Sequence, residues 1–473
     1  MTSSLSSLVP DCARRRTGLP PTASVGIMVD DEPEVDEHEY EDRLEPLHLI
    51  RRSHVVLRAG TLMLGAGTSG LRVREVMGAV ASTVGVEQLH AQVTFTNIVL
   101  TVGRRGIFRT QVAETRPSVN ADRISMLQNF AHDLPARATV AEVEERLDAI
   151  ERTPRLYPAW LLVILVALAC ASIAVLSNGG VREVATVVPA SAIAYAIHRT
   201  LTRLQLNHLT VVLTSAAIAS GAYVGFAAIL TAIVGSPSPR FAAGFICASI
   251  FLIPGFPLVT AGLDLTRIDL DVGVPRLTYA AMVVLAIAIG VWLVAVLAGV
   301  SPDAVAPIAG HPGLVWTARI AASFFAVFGW ATMFNVPIRT ALASGVVAVL
   351  GNVPRLIMLD NGVKAHVATF IACVIFGLLC ALAARWFSMT KIIMTVPTLL
   401  VSIPGSSGLR ALIYFDRADV TSAIESGVST VLVVIAMIAG LSGARMLTDP
   451  EWAFTRQDPP LPDPSRVPTR SQL

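Results

Sequence analysis

The stretches IPGFPLVTAGLDL at 253–265 and IPGSSGLRALIYF at 403–415 decide how this chain folds. Each lies in a long apolar run and carries Ile-Pro-Gly near the middle of that run. A proline inside a helix removes one backbone donor and clashes with the preceding turn. The adjacent glycine frees φ and bares the backbone. The triplets stand 150 residues apart. Each run therefore reads as a broken helix, and the two breaks read as one feature written twice.

Working outward, apolar runs occur at about 158–177, 184–198, 209–234, 241–262, 276–300, 314–335, 338–351, 364–384, 391–413 and 421–441. A bilayer core of about 30 Å needs about 20 helical residues, and most of these runs qualify. The second and seventh are short, and each carries or follows a proline, Pro189 and Pro337, 148 residues apart. Runs one to five and six to ten thus match in order: long, short, long, long, long. The predicted fold is a polytopic α-helical membrane protein of about ten transmembrane helices. Its halves, 158–300 and 301–447, form a 5+5 repeat. Five is odd, so consecutive copies enter the membrane from opposite sides, and the repeat is inverted, as in many secondary transporters.

Composition separates this part from the rest. Hydrophobic residues make up 53% of the chain and charged residues 15%, against about 25% charged in soluble domains. The charges concentrate in 1–157. A net charge of +2 gives no basic field for nucleic acid. Lys364 and Lys391 are the only lysines and neither follows a glycine, so a Walker phosphate loop is excluded. Four of the five cysteines, Cys170, Cys247, Cys373 and Cys380, lie in apolar runs and read as core hydrophobes, not as disulfides or metal ligands. Arg14-Arg15-Arg16 has no apolar segment after it, so no cleavable signal is expected. Residues 1–45, acidic from Asp30, and 448–473 read as disordered tails.

Residues 46–157 read as a small α/β domain outside the membrane. Leu71, Val73, Val76, Val80 and Val84 follow helical spacing, with Thr68 or Ser69 available as N-cap. Leu89 to Thr96 alternates apolar and polar at strand period. Runs 97–102 and 107–114 flank Gly103-Arg104-Arg105-Gly106 as a hairpin. Two helices follow, the second opened by a Thr139–Glu142 capping box. The G-x-G-x-x-G at 65–70 lacks a clear preceding strand and reads as a turn and helix cap, not a dinucleotide site. No nucleophile–base or metal motif, and no cofactor signature, stands out.

The candidate substrate or gating residues are Pro254, Gly255, Pro257, Pro404, Gly405 and Ser406, with Pro397 a further break. A helix N-terminus at such a break points partial positive charge into the membrane, where it suits a substrate carboxylate. Asp264, Arg319, Arg410 and Glu425 are the candidate coupling or charge-pairing residues. A charge in hydrocarbon costs about 2.5–3.5 kcal/mol on insertion scales, so such groups face cavities or partners. The two arginines are candidate partners of the two acids or of lipid phosphate, and His198 and His366 read as interfacial. With the N-terminal domain inside, inner loops hold Arg199, Arg203, Arg267, Arg276, Arg339, Arg385 and Lys391, and outer loops Arg182, Arg240, Arg355, Lys364 and Arg417. That balance, with the arginines before the first span, places both termini in the cytoplasm.

LGAGTSGLRVREVMGAVASTVGV (64–86), TFTNIVLTV (94–102) and ATVAEVEERLDAIERTP (138–154) resemble the soluble domain and juxtamembrane helix of the threonine/serine exporter family. IPGFPLVTAGLDL with Asp269, Gly273 and Arg276, and IPGSSGLRAL, are similar to that family's two membrane signatures. The resemblance spans about 50–445. It implies ten spans in a bacterial plasma membrane and export of threonine and serine, small polar amino acids, driven by the proton motive force, with no settled set of functional residues. An uncoupled channel or facilitator shares the broken helices, and a membrane-tethered enzyme would place its site in the N-terminal domain.

Overall fold

The computed structural model describes residues 37–300, 305, 308, 310–387 and 391–449. The expected tails, and Cys12 with them, lie mostly outside the described residues. Residues 37–45, read as tail, instead begin the first helix. From His48 onward the described residues belong to one compact unit.

The N-terminal layer comprises α1 (Glu37–Gly65), α2 (Gly70–Thr83), β1 (Gln88–Val93), β2 (Asn97–Arg104), β3 (Ile107–Glu114), α3 (Ala121–His132) and α4 (Val140–Arg152). The strands form one antiparallel sheet in chain order. Leu100 stands opposite Ala91 and Gln111. Strand period puts Ile98, Leu100 and Val102 on one face, and all three are buried in one core with Met63, Val73, Met77 and Val80. The second hairpin turns through Arg105 and Gly106 at φ 47° and 80°, the left-handed pair that a two-residue type I′ loop requires. The Thr139 side chain accepts from the Glu142 amide at 3.3 Å, and the Thr139 amide donates to Glu142 Oε2 at 3.0 Å, closing the predicted capping box. Ser69 occupies the N-cap of α2 but makes no side-chain cap bond. Gly65 ends α1, Gly67 turns at φ 98° and Gly70 begins α2, so G-x-G-x-x-G is a turn between helices.

The first five-run group folds as α5 (Ala159–Leu176), α6 (Val181–Arg203), α7 (His208–Val234), α8 (Phe241–Cys247) with α9 (Gly255–Thr266), and α10 (Leu270–Ala298). The second folds as α11 (Pro312–Met333), α12 (Ile338–Asp360), α13 (Ala365–Phe387), α14 (Lys391–Leu399) with α15 (Gly405–Asp416), and α16 (Val420–Thr448). Among the described residues, eight helices are long and apolar enough to cross a membrane. The pair Phe241–Leu252 and Gly255–Thr266, bent by 70°, makes nine if taken as one span. The sequence-based ten included the matching pair in the second group, whose first piece, Lys391–Ser402, is a short apolar helix.

The two runs read as short are not short helices: α6 and α12 each have 23 residues. Arg182, Glu183, Arg199 and Arg203 truncate the apolar run of α6 without ending its backbone ladder. Pro189 lies within α6, and Pro397 within α14, so neither ends its helix. Pro257 is the third residue of α9, where the missing N–H has no intrahelical partner to lose.

Matching details recur between the groups. α10 packs on α7 and α16 on α13. A β-carbon at Gly290 would lie 2.5 Å from the Leu213 carbonyl oxygen, and one at Gly440 would lie 2.5 Å from that of Phe370. Both glycines let helix backbones meet, the usual means of close packing in a bilayer. The turns before α10 and α16 pass through Ile268 and Ala418, each at φ 61°.

Candidate functional site

Both breaks have one cause and one geometry. The residue before a proline is driven out of the helical region, and Ile253 and Ile403 stand at ψ 126° and 128°. Pro254 (φ −77°, ψ 59°) and Pro404 (φ −82°, ψ 52°) then each centre an inverse γ-turn. The Gly255 amide donates to the Ile253 carbonyl at 2.7 Å, and the Gly405 amide to that of Ile403 at 2.9 Å. A new helix starts at each glycine.

The breaks meet each other. A β-carbon at Gly255 would fall 2.0 Å from Leu400 Cδ2, and one at Gly405 would fall 3.0 Å from Ile253 Cδ1. A cavity of about 10 Å³ lies between them, lined by Ile250, Ile253, Trp330, Leu400 and Ile403. That is at the lower limit for one water. The contact between the two breaks, where sequence reading places a substrate site, is apolar and nearly filled in this structure. The Ser406 side chain lies outside the described residues.

Open space lies beside the constriction. A vestibule of about 570 Å³ extends between the N-terminal layer and α6, α7, α9, α10 and α11. Phe251, Phe256, Pro257 and Thr260 bring the first break to its wall; Pro254, Gly255, Pro404 and Gly405 do not line it. Arg155, Arg199, Arg203 and Arg276 line it with His198 and His208, and among the described residues no carboxylate side chain does. Phe251 holds Tyr195 edge-on at 5.5 Å and His198 at 6.1 Å. His198 itself lines the cavity, and its Nδ1 lies 3.1 Å from Ser215 Oγ.

Asp264 is 3% exposed and pairs with Arg276, 2% exposed, at 2.5 Å. Arg276 also donates to the Thr68 carbonyl at 2.9 Å. Read in the sequence as a loop charge, Arg276 is a buried residue of α10. Its pair with Asp264 joins α9 to α10, and its bond to Thr68 ties both to the N-terminal layer. Arg74 extends the junction by binding Asp269 at 2.5 Å. The expected pairing of Asp264 and Glu425 with Arg319 and Arg410 does not occur. Arg319 binds Asp360 at 2.5 Å and lies over Trp316. Glu425 is exposed at the start of α16, and Arg410 is half-buried on α15, neither with an ion pair among the described residues. Glu183, which sequence reading passed over, is 2% exposed and accepts from the Gly180 amide at 2.8 Å.

A second set of bonds ties the layer to the other half. The amides of Ala121 and Asp122 donate to the carbonyls of Phe334 and Asn335 at 2.9 and 3.2 Å. Asn335 also accepts from the Leu156 amide at 2.9 Å, and the Tyr157 hydroxyl donates to the Val336 carbonyl at 2.6 Å. Burial, with the Asp122 charge, pushes the Tyr157 hydroxyl up to about 12, so it remains a donor throughout the working pH range. The layer thus grips the end of α11 as well as α9 and α10.

Comparison with known proteins divides the chain where the fold does. The family described as "Putative threonine/serine exporter" matches residues 54–298, ending with α10. The family described as "Threonine/Serine exporter, ThrE" matches residues 319–446, from α11 into α16. The chain is 26% identical over 244 residues to the probable succinate transporter subunit YjjP of Klebsiella aerogenes, covering 50% of this chain and 91% of that protein. It is 25% identical over 245 residues to the protein of the same description from Escherichia coli K12, covering 50% and 91%. No solved structure matches.

Proposed function

We propose, from the premise that this chain belongs to the threonine/serine exporter family, that it is a secondary active exporter of threonine and serine working by alternating access. Membership makes it a multi-pass membrane transporter; the substrate, the coupling and the mechanism are our reading. Its halves are inverted copies in a bacterial plasma membrane, with the N-terminal layer and both termini in the cytoplasm. The observation that carries this reading is the contact between the two matching breaks. An apolar plug closes the path there, while a vestibule on the side of the N-terminal layer stays open. This is the arrangement of a transporter open to one side. Rocking one half against the other would slide Gly255 and Gly405 past the facing isoleucines and leucine and open the opposite side. Proton flow, not ATP, drives the cycle.

The test is efflux of labelled threonine from preloaded proteoliposomes with and without an imposed pH gradient. Gradient-dependent efflux competed by serine supports the reading. Gradient-independent efflux makes the protein a facilitator.

One observation favours a second substrate class. Among the described residues four arginines and no carboxylate line the vestibule, and Arg276 alone of the four has a carboxylate partner there. Such a cavity suits a dianion better than a zwitterion. The relatives' description as succinate transporter subunits agrees with it. Labelled succinate in the same vesicles separates the two: dicarboxylate efflux without threonine efflux selects this alternative.

A further inference from the structure

We propose that the tip of the β1–β2 hairpin is part of the transport path and that Phe95 controls access to the vestibule. Phe95 stands between the two strands, on a turn pinned by the Thr94 amide to the Asn97 carbonyl at 2.9 Å and by the Thr115 amide to the Thr96 carbonyl at 2.7 Å. It is presented by a fixed support, not by a loose loop. Leu89, Ala91 and Val93, on the strand before it, all join the apolar core, but Phe95 does not. Its ring contacts lie at the vestibule instead. It lies in the wall, its centroid 5.1 Å from that of Tyr279 on α10, with the Arg276 guanidinium carbon 5.6 Å from the ring centre. Tyr279 in turn stacks on His208 of α7 at 5.8 Å, and its hydroxyl lies 2.9 Å from His208 Nε2. The aromatic series Phe95–Tyr279–His208 therefore runs from the layer across to α7.

The layer is bonded to both halves, through Arg74 and Thr68 to α9 and α10 and through Ala121 and Asp122 to the end of α11. Relative motion of the halves must then be taken up at the layer, and the Phe95–Tyr279 contact crosses that junction without a hydrogen bond of its own. It can open while the polar ties hold. Phe95 sets the width of the inner mouth, and hence which solutes reach the first break.

The proposal rests on the transporter reading, but its test needs no solute. A single reporter is introduced as His198→Cys, across the vestibule, in a Cys12→Ser background; Cys170, Cys247, Cys373 and Cys380 are buried. Reaction with a charged, membrane-impermeant methanethiosulfonate is followed in full-length protein in proteoliposomes. Phe95→Ala is expected to speed modification by about two- to ten-fold, the range an aromatic pair commands. Phe95→Trp is expected to slow it below wild type, and this conservative change keeps the test open should the alanine variant fold poorly. Wild-type modification rates in both folded variants would overturn the proposal. Failure of threonine and succinate to move would bear on the substrate assignment and leave the labelling result intact.

Discussion

Replacing Gly255 by alanine tests whether the two breaks form the moving seal. The added methyl would lie 2.0 Å from Leu400 Cδ2 and 3.2 Å from its Cγ, where carbon atoms rest at about 3.5–4.0 Å. The Leu400 side chain must therefore retreat by about 1.5 Å, and it is already buried in the constriction. Overpacking of this kind costs about 1–3 kcal/mol. The cost falls on the conformation with the breaks in contact and not on one that parts them. It corresponds to a shift of about five- to 150-fold in the ratio of the two conformations. Gly405→Ala is the internal control. Its methyl meets Ile253 Cδ1 at 3.0 Å, an overlap that a few tenths of an ångström relieve. The assay is the same thiol labelling at His198→Cys. The expected outcome is a labelling rate reduced at least about three-fold in Gly255→Ala and nearly unchanged in Gly405→Ala. Equal rates in the two variants would refute the argument, because the structure makes their steric loads unequal.

Three further outcomes follow from contacts described above. Gly405→Leu should abolish solute flux while leaving membrane insertion intact, because its longer side chain fills the small cavity beside Ile250 and Ile253; wild-type flux would remove the seal from this position. Asp264→Asn should destabilise the protein by about 3–5 kcal/mol by stranding the buried Arg276 charge, and Asp264→Asn with Arg276→Met should recover much of that in thermal unfolding. A double variant no more stable than the single one would show that the pair is not the cause. The hydrogen bond from Arg58 holds the Asp148 carboxyl below its ordinary range, so this contact favours the folded form above the unfolded pKa of about 3.9 and fades as pH falls through the lower folded value. The stability gap between wild type and Asp148→Asn should therefore narrow below pH of about 4 and stay constant above it.

Much of this architecture was legible because its signals are local. Ile-Pro-Gly carries its own break, since proline and glycine act on their immediate neighbours. The capping box needs four residues, and the β2–β3 hairpin needs a two-residue turn between alternating strands. The site was less legible because it is assembled across distance. Asp264 and Arg276 flank a turn whose left-handed residue, Ile268, carries no sequence mark. Arg319 finds Asp360 at the far end of the next helix, 41 residues on. Apolar-run length misjudged α6 because hydropathy ends where charge begins, whereas a helix ends where its backbone ladder does. The packing between the breaks was hidden from the sequence for a related reason. Proline and glycine reveal where backbone is broken, but the side chains that fill the gap, Leu400 and Trp330 among them, are ordinary apolar residues. The vestibule, drawn from five membrane helices and the N-terminal layer, has no linear signature.

The ties between the layer and the end of α11 run largely through main-chain atoms: the carbonyls of Phe334, Asn335 and Val336 accept from Ala121, Asp122 and Tyr157. One tie to α10 also ends on a main-chain atom, the carbonyl of Thr68, while Arg74 and Asp269 join side chain to side chain. The contact at the end of α11, made mostly of peptide groups, is largely insulated from side-chain substitution. Alanine scanning across 334–336 would leave most of these acceptors in place and would under-report how strongly the parts are joined. Inserting or deleting a single residue there would shift every acceptor out of register at once, so this junction should tolerate changes of residue type far better than changes of length.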